Sequence, residues 1–182
     1  MKSVYTILYD TKNTLDFLDD QDEIELNIKS MFLFIFYGQI VYFKNINIDG
    51  ETIHPVIDML FTIAFILFLG TLFSLVLHKI NSWLGGTASY SDVFSIISHA
   101  TIPITISLII IFFFKFLLFS EVYFNWKIIF YIGVVVGFKI LIQGFLRYNS
   151  SKYLKMLLNI SPIVLFYVLI LMSSFYTYIT YY

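Results

Sequence analysis

The chain has 182 residues, of which 59% are hydrophobic, 20% aromatic and only 13% charged, with a mean hydropathy of +0.86. A soluble domain carries about 25% charged and 45–50% apolar residues, so this apolar surface exceeds what one small water-soluble domain buries and calls for lipid as the solvent. A net charge of −1 gives no field for nucleic acid, and the lack of cysteine excludes disulfides, thiol catalysis and cysteine-ligated metals.

Met1–Asn27 is the main water-facing stretch, an acidic N-terminal segment (1–27) without the basic region and apolar core of a secretory signal. The first hydrophobic segment is therefore expected to serve as its own insertion signal. Up to Ser30 it holds Lys2, Lys12 and Lys29 against Asp10, Asp16, Asp19, Asp20, Asp22, Glu23 and Glu25. Asn13 or Thr14 is placed to cap a short helix carrying Leu15 and Leu18. The Asp19-Asp20-Gln21-Asp22-Glu23 run lacks the glycine turn and ligand spacing of a calcium loop, and reads as a solvated acidic face.

Five spans follow, at about 28–43, 56–78, 102–119, 128–146 and 157–179. Met31–Phe43 alone is too short for a ~30 Å hydrocarbon core at ~1.5 Å per residue, so the first span starts upstream, with Lys29 and Lys44 snorkelling to opposite interfaces. Asp49-Gly50 marks a turn, and Pro55 opens the second span at a position needing no N–H. Trp83 is an interfacial residue at its end. Between spans two and three, Gly85-Gly86 predicts a helix stop, and Ser89 or Ser91 a new cap. From Tyr90, apolar residues at 90, 93, 94 and 97 share a face while Ser91, Asp92, Ser95, Ser98 and His99 take most of the rest, which predicts a short amphipathic helix. Pro103 is placed in the first turn of the next span. The predicted fold class is an all-α membrane bundle of five transmembrane helices plus this short helix. No internal repeat supports an inverted-repeat transporter.

Five spans put the termini on opposite sides. With the N-terminus inside, Lys2, Lys12, Lys29, Lys79, Arg147, Lys152 and Lys155 are cytoplasmic, against Lys44 and Lys127 outside; the positive-inside rule then assigns N-in and C-out. Enrichment in Phe, Ile, Tyr, Lys and Asn with a single Arg147 points to an AT-rich bacterial genome, hence the inner membrane.

Charges within the bilayer cost roughly 2.5–3.5 kcal/mol and mark candidate sites. Asp58, near the outer face, is matched in depth with Lys115. Lys139 lies deeper, one turn from Gln143, with Asp92 as its nearest acid if the connector folds back onto the bundle. These four, Asp58, Lys115, Lys139 and Gln143, would serve a path for ions or polar solutes; the plainer reading is snorkelling or structural pairing. His54, His78 and His99 fall in separate loops without metal-ligand spacing. No serine sits in a nucleophile elbow, and neither enzyme, metal site nor cofactor is expected. Gly133-Val-Val-Val-Gly137 is a GxxxG pattern for close helix packing, within one chain or in a homo-oligomer; Gly70 and Ser74 form a weaker small pair.

The polar N-terminus, five spans and the segment carrying Gly85, Gly86, Tyr90, Asp92, Phe94 and Pro103 resemble the Yip family of small multi-span proteins. That resemblance implies a non-enzymatic membrane scaffold or adaptor, partnered by lipid or another membrane protein. Eukaryotic members act in membrane traffic with Rab-type GTPases and with one another, and they carry a long cytoplasmic arm. Here the arm has fewer than thirty residues, so GTPase binding is not carried over to any residue.

Overall fold

The computed structural model describes residues 2–49, 54–117, 126–148, 155, 157–158 and 161–165. Six helices are assigned in order: α1 (Lys2–Tyr9), α2 (Thr11–Asp19), α3 (Glu23–Asp49), α4 (Pro55–Trp83), α5 (Tyr90–Leu117) and α6 (Trp126–Tyr148). No strand occurs among the described residues. Four helices are long and apolar enough to cross a membrane, over Glu23–Phe43, Pro55–Trp83, Tyr90–Phe114 and Ile128–Tyr148. The fifth expected span, 157–179, falls mostly outside the described residues.

The four long helices run up and down beside their neighbours. Phe34 of α3 lies against Gly70 of α4, Gly38 against Ile63, and the Tyr42 hydroxyl donates to Pro55 O at 2.6 Å, which makes α3 and α4 antiparallel. Ile96, Ala100 and Ser107 of α5 lie against Gly144, Gly137 and Gly133 of α6, again antiparallel. Asn27 donates to Ser91 Oγ at 3.0 Å and Phe34 meets Phe94, so α3 and α5 run parallel. α5 is the central helix: 67% of its membrane-length window is buried, against 17% for α4.

One expectation is corrected here. The short connector helix and the third span are one helix, α5, with Pro103 inside it. Proline removes only its own N–H, leaving the His99 carbonyl without its usual donor, and membrane helices tolerate this where neighbours pack closely. Pro103 is itself buried, and its carbonyl lies where a Cβ on Gly133 would fall. The serine face predicted for an interfacial helix is interior: Ser91, Ser95, Ser98 and His99 are all buried.

The acidic segment also folds. Asp10, rather than Asn13 or Thr14, caps α2: its carboxylate accepts from Asn13 N at 3.4 Å and Asn13 Nδ2 at 2.7 Å. Starting the helix at Thr11 turns Thr11, Thr14, Leu15 and Leu18 inward together. Leu15 and Leu18, with Ile7 of α1, join the core cluster around α5. Asp20, Asp22, Glu23 and Glu25 stay exposed, as a solvated acidic face requires.

Candidate functional site around the start of the central helix

The Gly85–Asp92 segment is built from two interlocking capping motifs. At the end of α4, Gly86 N donates to Asn81 O at 2.8 Å and Gly85 N to Ser82 O at 3.1 Å. These are the two bonds of a Schellman motif, and Gly85 supplies its left-handed residue at φ +74°. Gly86 is fixed by space, since a Cβ there would lie 2.1 Å from Asn81 Oδ1. At the start of α5, Ser89 N donates to Asp92 Oδ2 at 2.7 Å and Asp92 N to Ser89 Oγ at 3.2 Å. That is a capping box with aspartate at the third position.

Each residue of the family-like motif therefore has a local task. Tyr90 stacks on Phe94 at 5.7 Å and meets the edge of His78 at 6.4 Å; Phe94 continues to Phe34 at 5.2 Å. Pro103 packs on Gly133. Asp92 holds the α5 cap, and no ion pair joins it to Lys139 among the described residues. Antiparallel packing puts Lys139 near the level of Ala100, about two turns from Asp92, and Lys139 is exposed.

Among the described residues, the intramembrane charges do not converge. Asp58 is exposed in the first turn of α4. The Lys115 side chain lies outside the described residues, so the Asp58–Lys115 pair does too. Gln143 is half-buried near the end of α6, and its Oε1 is buried with no hydrogen-bond partner. Gly133 and Gly137 face α5 of the same chain: added Cβ atoms would fall 2.3 Å from Ser107 Oγ and 2.6 Å from Ala100 O. Gly70 and Ser74 are buried in α4, with the Phe34 ring against Gly70.

The interior carries an uncharged polar seam that sequence patterning assigned to the surface. Asn27 bonds Ser91 across helices, and a His99 ring nitrogen lies 2.8 Å from Ser95 O. The Ser98 and Thr101 hydroxyls donate to backbone carbonyls three residues back, and those of Ser74 and Thr105 to carbonyls four residues back. Neither His78 nor His99 is in a loop; both lie within membrane-length helices, His99 only 1% exposed. Ser30 Oγ, Asn27 Oδ1 and His78 Nδ1 are buried without hydrogen-bond partners. Among the described residues, no group of three or more His, Asp or Glu could hold a metal ion.

One end of the bundle is closed by charge. Arg147 bridges two carboxylates of α2, Asp16 through Nη1 and Asp19 through Nη2 at 2.5 Å, while the Tyr148 hydroxyl donates to Asp19. Burial pushes the Asp19 carboxyl above its usual pKa, and the Tyr148 and Arg147 contacts pull it back only in part. Thr87 N donates to Tyr148 O at 3.0 Å and Lys155 Nζ to Leu84 O at 2.5 Å, so the Gly-Gly turn belongs to the same closure. Sequence reasoning missed this clamp, although Lys12, Leu15 and Asp16 share the i, i+3, i+4 spacing of Gln143, Leu146 and Arg147.

Compared with protein-family models, curated proteins and solved structures, the chain matches none. The Yip-family resemblance rests on the motif and span pattern alone.

Proposed function

We propose that the protein is a non-enzymatic membrane scaffold or adaptor of the Yip type, seated in a bacterial inner membrane with its N-terminus in the cytoplasm. Its partners are other membrane proteins or lipid, met through the water-facing surface of α2 and the turn beside it. The observation that carries this reading is the outward placement of Asp58 and Lys139 on a bundle whose buried residues, among those described, are apolar or uncharged polar apart from His99. A conduction path lined by ionisable residues has the opposite pattern, with charges turned inward. The Gly85–Pro103 motif works from beneath: it sets the α4–α5 turn and the core on which α1 and α2 rest. Phe17, 49% exposed on α2, is the kind of aromatic that anchors a partner.

Photo-cross-linking from Phe17 and Asp20 in native membranes tests the proposal. One or a few discrete adducts are expected, and vesicles containing the protein should show no flux of ions or small polar solutes above empty vesicles. Flux abolished by Lys139→Ala or Gln143→Leu, with no specific adducts, would replace the scaffold by the alternative, a small transporter or channel.

A further inference from the structure

Between α2 and the last turn of α6 lies an open cleft of about 510 Å³, lined by Lys12, Leu15, Asp16, Gln143, Leu146 and Arg147. The spacing explains its shape, because each helix contributes one face of residues i, i+3 and i+4 and the two faces oppose. The volume lies within the range of about 300–1,000 Å³ typical of small-molecule sites. Its walls are chemically mixed. Arg147 holds Asp16 and Asp19; Lys12 is exposed and takes part in no ion pair among the described residues. Gln143 adds a carboxamide whose Oε1 has no donor.

Position narrows the ligand. The cleft sits where the membrane-length stretch Ile128–Tyr148 ends and the water-facing helices begin. Leu15 and Leu146 give it an apolar rim, and its charged groups occupy the headgroup level. The lining holds two cations and one carboxylate, and Arg147 also pairs with Asp19, so the four charges together cancel and favour a ligand bearing both signs over a purely anionic one. A phosphate can take Lys12 and the outer N–H groups of Arg147. A primary ammonium can donate to Asp16, which has acceptor sites beyond the one Arg147 uses.

We infer that this cleft is a binding site for the headgroup of a zwitterionic phospholipid with a primary ammonium, of the phosphatidylethanolamine class. A quaternary ammonium has no N–H to donate, so the choline headgroup binds less well. A glycerol headgroup leaves the acceptors without a cation. The cleft takes Lys12, Leu15 and Asp16 from α2, the helix of the proposed scaffold surface, and its lipid preference stands whether or not a protein partner is found.

The test reconstitutes the full-length protein in nanodiscs with equal amounts of phosphatidylethanolamine, phosphatidylcholine and phosphatidylglycerol. The complex is then released into mild detergent, and the retained lipids are weighed by native mass spectrometry. Phosphatidylethanolamine should be enriched about tenfold over phosphatidylcholine, the effect of one or two charge-assisted hydrogen bonds. Lys12→Ala, at an exposed position, and Asp16→Asn, which removes the carboxylate from the lining, should each lower that enrichment about threefold or more, and Lys79→Ala should leave it unchanged. Helical circular dichroism and gel filtration verify that each variant folds. Equal retention of all three lipids, enrichment of phosphatidylglycerol alone, or enrichment that survives both cleft substitutions would overturn the proposal. So would thermal protection by free phosphoethanolamine without headgroup-selective retention of lipid, which would assign the cleft to a soluble molecule.

Discussion

Glycines decide how closely this bundle packs, and they do so for two different reasons. At Gly85 the constraint is the backbone, φ +74°, which costs an alanine about 1 kcal/mol. At Gly137 the constraint is space: the Cβ of an alanine would lie 2.6 Å from a backbone oxygen, Ala100 O, which cannot swing away. At Gly144 the obstruction is the Ile96 side chain at 2.7 Å, which can change rotamer. Gly137→Ala is therefore expected to destabilise by about 1–3 kcal/mol and Gly144→Ala by less. Thermal melts in detergent should give that order, with Gly85→Ala near the smaller effect. A melt of Gly137→Ala equal to the parent would remove close α5–α6 packing as the reason for glycine there. The GxxxG pattern could be read from the sequence because small residues at four-residue spacing have one main use in lipid. Which helix they faced could not, since Ser107, Pro103 and Ala100 carry no matching local signal.

Among the elements, α5 separates what local pattern encodes from what packing decides. The glycine stop, a serine cap at Ser89 or Ser91 (Ser89 in the structure) and Pro55 at the start of α4 were legible because each solves a backbone problem within four residues. Continuity through Pro103 was not, because a proline suits either the first turn of a new helix or the interior of a well-packed membrane helix. The serine face misled for a similar reason: polar residues on one side of a helix look alike whether they meet water or Asn27 of a neighbour. The docking of α2 was invisible for want of a local cue, as it depends on Arg147 pairing with carboxylates 131 and 128 residues earlier. Removing that guanidinium leaves two carboxylates facing each other near Tyr148. With Arg147 and Asp16 side chains 32% and 49% exposed, the pairs contribute about 1 kcal/mol or less each. Arg147→Ala should thus raise amide exchange across Thr11–Asp19 several-fold while the α5 core stays protected. Asp19→Asn should do less, because the amide oxygen still accepts from Tyr148 and the partly shielded charge is gone. Uniform loss of protection in both regions would mean that α2 is part of one cooperative unit with the spans.

At the scale of the whole molecule, the helix order makes a claim about sidedness that chemistry can read directly. α3 and α5 run one way and α4 and α6 the other, so Asp20, Trp83 and Arg147 gather at one end and His54 at the opposite one. The chain has no cysteine, so single thiols can be placed without a background. Asp20→Cys and Trp83→Cys, the latter at a residue 77% exposed, should react with an impermeant maleimide from the same side of sealed membranes, and His54→Cys from the other. On the orientation proposed from the positive-inside rule, the side shared by Asp20 and Trp83 should be the cytoplasmic one, reached only after the membranes are opened or inverted. Reaction of Asp20→Cys and Trp83→Cys from opposite sides would break the up-and-down arrangement, because α3 and α4 form one hairpin and must return to the side they left. Reaction of those two from the outer side of intact cells would keep the fold and reverse its orientation. The Arg147 clamp would then face away from the cytoplasm, and a cytoplasmic adaptor could no longer be built on α2.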